Sequence, residues 1–276
     1  MAVIALTREI GTRGQDVAAG LAERLGLKIV QHDLVEHDIA ERAGLPDSAV
    51  HRYFEGEATL LERWRMDRRR LSQLNAEEVL ECAAACNVLI RGWGASYLLR
   101  GISHALCVRL HAPMEVRERN LMERARITNA AVARRELEHD DAAHNTRLRD
   151  LFGIDWRDPA LYTMTLNTGR LSVADCVETI ARLAQSAAFQ ETPQSRRALA
   201  DRLCELRVRS ALDKRFGTQS PESGFDVVVS EGRVVLTGAT SDSTLVVDAV
   251  RLVQTVPGVC GVESRIRYVD FHAPGW

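Results

Sequence analysis

Apolar and polar positions along this chain fall into short apolar runs that alternate with longer stretches of helical spacing. Val3 to Leu6 is a continuous apolar run of the kind a buried parallel strand makes, and Thr7 to Gly14 follow with the turn residues Gly11 and Gly14. From Asp16 the positions Val17, Leu21 and Leu25, with Ala18 and Ala22 between them, repeat at helical spacing, and Gly26 is placed to stop the helix. Leu27 to Val30 predicts a second strand. Charge-rich helical material runs from Leu34 to Cys86, with breaks near Gly44 to Asp47 and Glu55 to Glu57. Asn87 to Ile90 predicts a third strand, ending in Arg91-Gly92-Trp93-Gly94. Ala105 to Leu110 predicts a fourth, followed by Pro113 and an arginine-rich helix from Glu115 to about Arg126. Leu161 to Leu166 predicts a fifth, and Ser172 opens a helix carrying Val173, Val177, Ile180 and Leu183. Strands alternating with helices predict an α/β fold with a parallel sheet covered by helices on both faces.

The pattern changes after Gln185 to Ser195, a polar stretch with one proline that reads as a linker. A helix from Arg196 to about Phe216 precedes a partly alternating strand, Phe225 to Val229, the turn Glu231-Gly232 and a strand Arg233 to Leu236. A second helix, Ser241 to Val256, ends at Pro257-Gly258, and Val262 to Tyr268 alternates again. The order α-β-β-α-β predicts a small α+β domain. The expected division is a first domain at 1–188, a linker at 189–195, a second domain at 196–270 and a tail at 271–276.

Composition narrows the class. With 276 residues, 46% hydrophobic and 27% charged, the chain has apolar material for two cores, which excludes disorder, collagen and coiled coil. The net charge of −2 gives no overall field to hold nucleic acid or an acidic membrane surface, so any anion site must be local. No run approaches the roughly 18 apolar residues of a membrane helix. Ala2 to Leu6 is too short for a signal-peptide core, so a cytoplasmic location is expected. The six cysteines include no C-x-x-C pair, and Cys82 and Cys86 read as helical core rather than metal ligands. His32, His37, His104, His111 and His139 show no metal spacing. All but two of the 36 Lys and Arg residues are arginine, the lysines being Lys28 and Lys214. Phosphate chemistry here would run on arginine, whose planar fork of donors suits phosphate oxygens.

Gly11-Thr12-Arg13-Gly14-Gln15-Asp16 lies between a strand and a helix start, where unpaired amides and the positive end of the helix dipole make an anion site. Aligned on Gly11, the lysine place of a P-loop falls on Gly14 and its hydroxyl place on Asp16. On the residues alone, a phosphate loop and an ordinary strand-helix turn both stand.

Residues 3 to about 185 resemble the cytidylate-kinase-like family of P-loop nucleoside monophosphate kinases. The resemblance is carried by Thr7-Arg8-Glu9-x-Gly11 with Gly14, Leu21 to Gly26, Val88 to Gly94 and Ala112-Pro113 with Val116-Arg117. Asp141 through Gly153 to Trp156-x-Asp158-Pro159 and Leu166-Asn167-Thr168 with Leu171-Ser172 complete it. It implies phosphoryl transfer from ATP with Mg²⁺ to a nucleoside monophosphate of the CMP or dCMP kind. It further implies that Gly11, Thr12, Arg13, Gly14, Gln15 and Asp16 hold the donor phosphates, with Arg8 as the loop's charged partner. Arg117, Arg124 and Arg126 would neutralise transferring oxygens, while Asp33, Arg91, Gly92, Trp93, Gly94, Asp141 and His144 would serve the acceptor. Three positions depart from the family pattern. G-S-G-G reads Gly11-Thr12-Arg13-Gly14, G-R-G reads Gly92-Trp93-Gly94, and the D-x-x-R of the lid ends in His144. A domain that binds nucleotide with weakened catalysis is therefore the alternative.

Residues 196 to about 270 resemble the BON domain, on Val227-x-Val229, Gly232-x-Val234-x-Leu236-x-Gly238 and Val256-x-Gly258-Val259-x-x-Val262. That resemblance implies binding of a phospholipid or small ligand, or assembly of identical copies through the exposed edge of a small sheet.

Overall fold

The computed structural model describes residues 2–30, 32–55, 67–85, 87–92, 94–217 and 225–269. The chain divides into two compact units, Met1–Thr192 and Pro193–Trp276. Among the described residues no helix is long and apolar enough to cross a membrane.

In the first unit, strands β1 (Val3–Arg8), β2 (Lys28–Val30), β3 (Val88–Arg91), β4 (Ala105–His111) and β5 (Met164–Asn167) form one parallel sheet in the order β2-β3-β1-β4-β5. β1 is central: Val3 lies opposite both Val88 and Ala105. Helices α1 (Gly14–Leu25), α2 (His32–Ala43), α3 (Asp47–Glu55), α4 (Arg68–Ala84), α5 (Ala95–Leu99), α6 (Met114–Ala125), α7 (Ala130–Phe152) and α8 (Val173–Ala184) connect or follow the strands. The odd-numbered side chains of β1 and the even ones face opposite ways, as strand geometry requires. Ile4 and Leu6 meet Val17 and Leu21 of α1 and Ile180 of α8, all at most 1% exposed. On the other face, Ser96 of α5 holds the sheet, its hydroxyl 3.1 Å from that of Thr7. Gly26, at φ 65°, ends α1, and the Leu27 amide returns to the Ala22 carbonyl at 3.0 Å. α8 begins with a reciprocal cap between Ser172 and Asp175.

Several elements differ from expectation, among them α7, which the pattern did not predict. β5 starts at Met164, not Leu161, because the Asp158 side chain accepts the Ala160 amide and winds Pro159–Leu161 into a single turn. Ala187–Phe189 also forms a turn, and Phe189 packs on the first unit's core. The helix expected from Arg196 starts at Pro193, a residue suited to a first helical turn because its missing N–H has no intrahelical acceptor to lose.

In the second unit, α9 (Pro193–Phe216) and α10 (Ser243–Gln254) pack with a sheet of β6 (Asp226–Ser230), β7 (Arg233–Thr240) and β8 (Gly261–Tyr268), in that order. β6 and β7 are antiparallel, β7 and β8 parallel. Val208, Val227, Val234, Leu236, Ala249 and Val253 centre the core. The β6–β7 turn is held from α9, where the Asp201 carboxylate accepts the amides of Glu231 and Gly232 at 2.8 and 2.9 Å.

Because each unit has its own core, limited proteolysis should cut between Gln190 and Thr192 before it cuts either body, leaving two folded fragments. Mass spectrometry of the digest checks this. Primary cleavage within 44–60 would mean that the first unit is the weaker body.

Candidate functional site

At the C-terminal edge of the parallel sheet, β1 gives way to a turn that leads into α1. Gly11 (φ 81°) and Arg13 (φ 55°) adopt left-handed backbone there. Glycine is demanded at position 11 for a second reason: a Cβ would lie 2.5 Å from the carbonyl oxygen of Arg117 on α6. Thr12 is fully buried, its hydroxyl donating to the Glu9 carbonyl at 2.6 Å. Arg13 points outward, its Nε donating to the exposed Asp16 carboxylate at 3.0 Å, so the long side chain leaves the loop backbone clear. The first ladder bonds of α1 run from the Asp16 and Val17 amides to the Arg13 carbonyl. The amides of Gly14 and Gln15 thus stand at the positive end of the helix without intrahelical acceptors.

The loop is fastened from α6. Arg117, 3% exposed, donates Nε to the Ile10 carbonyl at 2.7 Å and both terminal nitrogens to the Asp141 carboxylate of α7 at 2.8 Å. Glu9 lies 3.6 Å behind it. Burial works against the Arg117 charge, but the Asp141 pair, with Glu9, more than restores it and the pKa is raised. One turn along α6, Asn120 donates to the Gly11 carbonyl at 2.7 Å, and Arg124 bonds the Gln15 side chain. Arg126 caps α6 with a left-handed backbone and is exposed. Glu9 also accepts Arg109 at 2.7 Å and the Ala112 amide at 3.3 Å, tying the loop to β4.

The turn after β3 borders the same edge. Gly92 donates its amide to the Leu6 carbonyl at 3.2 Å. Gly94 (φ 69°) lies under α7, where a Cβ would meet the Phe152 ring at 2.6 Å. Trp93 falls outside the described residues, and Asp33 belongs to the first turn of α2 with its side chain outside them as well.

His144, one turn after Asp141 on α7, packs edge-on against Trp156 with ring centroids 4.5 Å apart. Arg109 lies 5.0 Å above the same indole. Arg147 is 3.0 Å from His144 Nδ1, and because a guanidinium only donates, the proton of the neutral ring sits on Nε2. Burial, then the charges of Arg147, Arg8 and Arg109, push the His144 pKa down to about 3. The enclosed Nε atoms of Arg91 and Arg109, Nε2 of His144 and Nε1 of Trp156 have no acceptor among the described residues. Arg109, Trp156, His144 and Arg147 thus pack as one enclosed cationic wall.

Most of the expected residues that are described lie toward one edge of the sheet. Gly11 to Asp16 form the loop, Arg117 and Asp141 clamp it, and Arg124 touches it through Gln15. Arg91 ends β3, next to β1 in the sheet, and His144 lies one turn beyond the clamping Asp141. Sequence reasoning did not single out Glu9, Arg109, Asn120 and Trp156 as site residues. Arg109 carried one signal, a charge inside an otherwise apolar strand, whereas Asn120 carried none. Among the described residues no cluster of His, Cys, Asp and Glu could hold a metal by itself.

The chain belongs to the cytidylate kinase-like family, which it matches over residues 3–170. Residues 200–270 match the BON domain. A cytidylate kinase of Pyrobaculum aerophilum is 27% identical over 177 residues, covering 64% of this chain and 89% of that protein. One from Methanocaldococcus jannaschii is 25% identical over 165 residues, 59% of this chain and 86% of its own length. In fold, the chain is similar to an uncharacterized protein from Eubacterium ventriosum, with a TM-score of 0.51 and 16% identity, over 66% of this chain and 97% of the other.

The neutral His144 predicts a pH dependence. The unfolded chain binds a proton there near pH 6.5, the folded chain only near 3, so stability is lost as pH falls through that interval. The slope is at most about 1.4 kcal/mol per pH unit from this group. His144→Gln should flatten the fall in urea-unfolding free energy between about pH 6.5 and about pH 4.5. Equal slopes in the two proteins would contradict a buried neutral histidine.

Proposed function

We propose that the first unit transfers a phosphoryl group from ATP to a nucleoside monophosphate of the CMP or dCMP kind, in the cytoplasm. The observation that supports this reading is the loop Gly11–Gln15, a helix start whose first amides have no intrahelical acceptor, fixed at the C-terminal edge of a parallel sheet. The amides of Gly14 and Gln15 take donor phosphate oxygens, and Arg13 leaves them accessible by turning outward. Mg²⁺ bound with ATP would neutralise phosphate charge, and Asp16, at the hydroxyl place of the loop, is the carboxylate that would hold it. Arg124 and Arg126, at the end of α6, cover the transferring group. Arg117 acts as a positioning residue: its Nε and both terminal nitrogens are engaged by Ile10 and Asp141, so it fixes where the loop amides point. Arg91, Gly92, Gly94 and His144 border the acceptor, while Asp33 and Trp93 are assigned to it by the family resemblance alone. Under this reading the BON unit binds a phospholipid or other small ligand, or joins identical copies.

A second reading, nucleotide binding with weakened transfer, is favoured by His144, where a neutral ring stands in place of a lid arginine. A coupled ADP-release assay with ATP·Mg²⁺ against a panel of monophosphates, beside calorimetry on the same sample, separates the two. The kinase reading predicts ADP release that depends on CMP or dCMP. Binding heat without ADP release would support the second reading, and neither heat nor ADP at millimolar nucleotide would contradict both.

A further inference from the structure

Gly14 is the first residue of α1, yet its backbone is not left-handed, and glycine in a helix is poorer than alanine by about 1 kcal/mol. Backbone conformation does not explain it. Packing does: a Cβ at position 14 would lie 2.6 Å from Cδ, 3.0 Å from Cβ and 3.3 Å from Cγ of Arg8. The whole stem of Arg8 crosses the space that a side chain at 14 would fill. Its charge is also one of the three that depress the His144 pKa, so the guanidinium lies within coulombic range of that ring.

We infer that Arg8 is the cation that grips the outer phosphates of the bound nucleoside triphosphate, reaching from the end of β1 across the lysine place of the loop, and that Gly14 is glycine to let it pass. The inference rests on the nucleotide-binding reading of the site. In a standard P-loop the lysine rises from the first turn of the helix to the β and γ phosphates. Here the cation arrives at the same turn from the strand, and the two routes exclude each other sterically. A guanidinium offers a planar pair of donors to two phosphate oxygens at once, which an ammonium does not. The neutral ring at 144 is consistent with this delivery, since a further arginine there would stand among Arg8, Arg109 and Arg147.

The test uses the full chain, with ATP·Mg²⁺ and cytidine binding followed by calorimetry and the thermal midpoint recorded for each variant. Arg8→Met should weaken ATP about 10- to 100-fold, the range of a charge-assisted phosphate contact, and leave cytidine nearly unchanged. Gly14→Ala should weaken ATP comparably by displacing Arg8, while its midpoint holds or rises because alanine favours the helix. Moving the cation with the double change Arg8→Gly and Gly14→Lys should recover most of the ATP affinity. ATP affinity unchanged in Arg8→Met or Gly14→Ala would overturn the inference while leaving nucleotide binding intact. Gly14→Lys alone binding ATP more tightly than the natural chain would overturn it too, because the two cations would then coexist. No ATP binding by the natural chain would remove the nucleotide reading and this inference together.

Discussion

Burying a guanidinium costs several kcal/mol of lost hydration, recovered only when its donors find well-placed acceptors. Arg117 meets that condition through two bonds to Asp141 and one to the Ile10 carbonyl, with Glu9 at 3.6 Å. Those partners come from the loop after β1 and from α7, and Arg117 itself comes from α6. Three separate parts of the chain are thus held in one geometry. Gly11 completes the arrangement by letting the loop backbone touch the Arg117 carbonyl, and Asn120 takes the Gly11 carbonyl on the next turn. The loop cannot shift along the sheet edge without leaving a charge unpaired.

That constraint explains how the site tolerates an unusual set of residues. Arg13 occupies a left-handed position that favours glycine, and the clamp on both sides of it over-determines the turn. With the loop fixed, positive charge is supplied from around it: Arg8 from β1, Arg109 from β4 and Arg147 from α7. Trp156 stacks beneath Arg109 and against His144, so one indole packs the cationic wall. The neutral imidazole keeps a hydrogen-bond donor in that wall without adding charge to it.

Much of this was legible in the sequence. Apolar runs at Val3–Leu6, Val88–Ile90 and Ala105–Leu110 are buried strands of the parallel sheet, and Gly11 and Gly14 marked the turn between strand and helix. The long helix α7 was not predicted as an element, because its buried residues Ala133, Leu137, Leu148 and Leu151 are sparse among charged ones and leave little periodic signal. Arg117 read as a phosphate ligand because pattern gives residue type and position but not which way a guanidinium turns. Gly14 read as a lost lysine because the occupant of its space, Arg8, lies on a different element. His144 read as a lost cation because the three arginines around it converge only in three dimensions.

Hydrogen exchange of backbone amides in the absence of nucleotide measures the clamp most directly. Relative to the natural chain, Arg117→Met should exchange faster together in the loop 10–15 and in α7 around 137–145, with the amides of β1 still protected. Exchange that is unchanged in the loop, or that rises in the loop alone while α7 stays protected, would contradict a single buried arginine joining them.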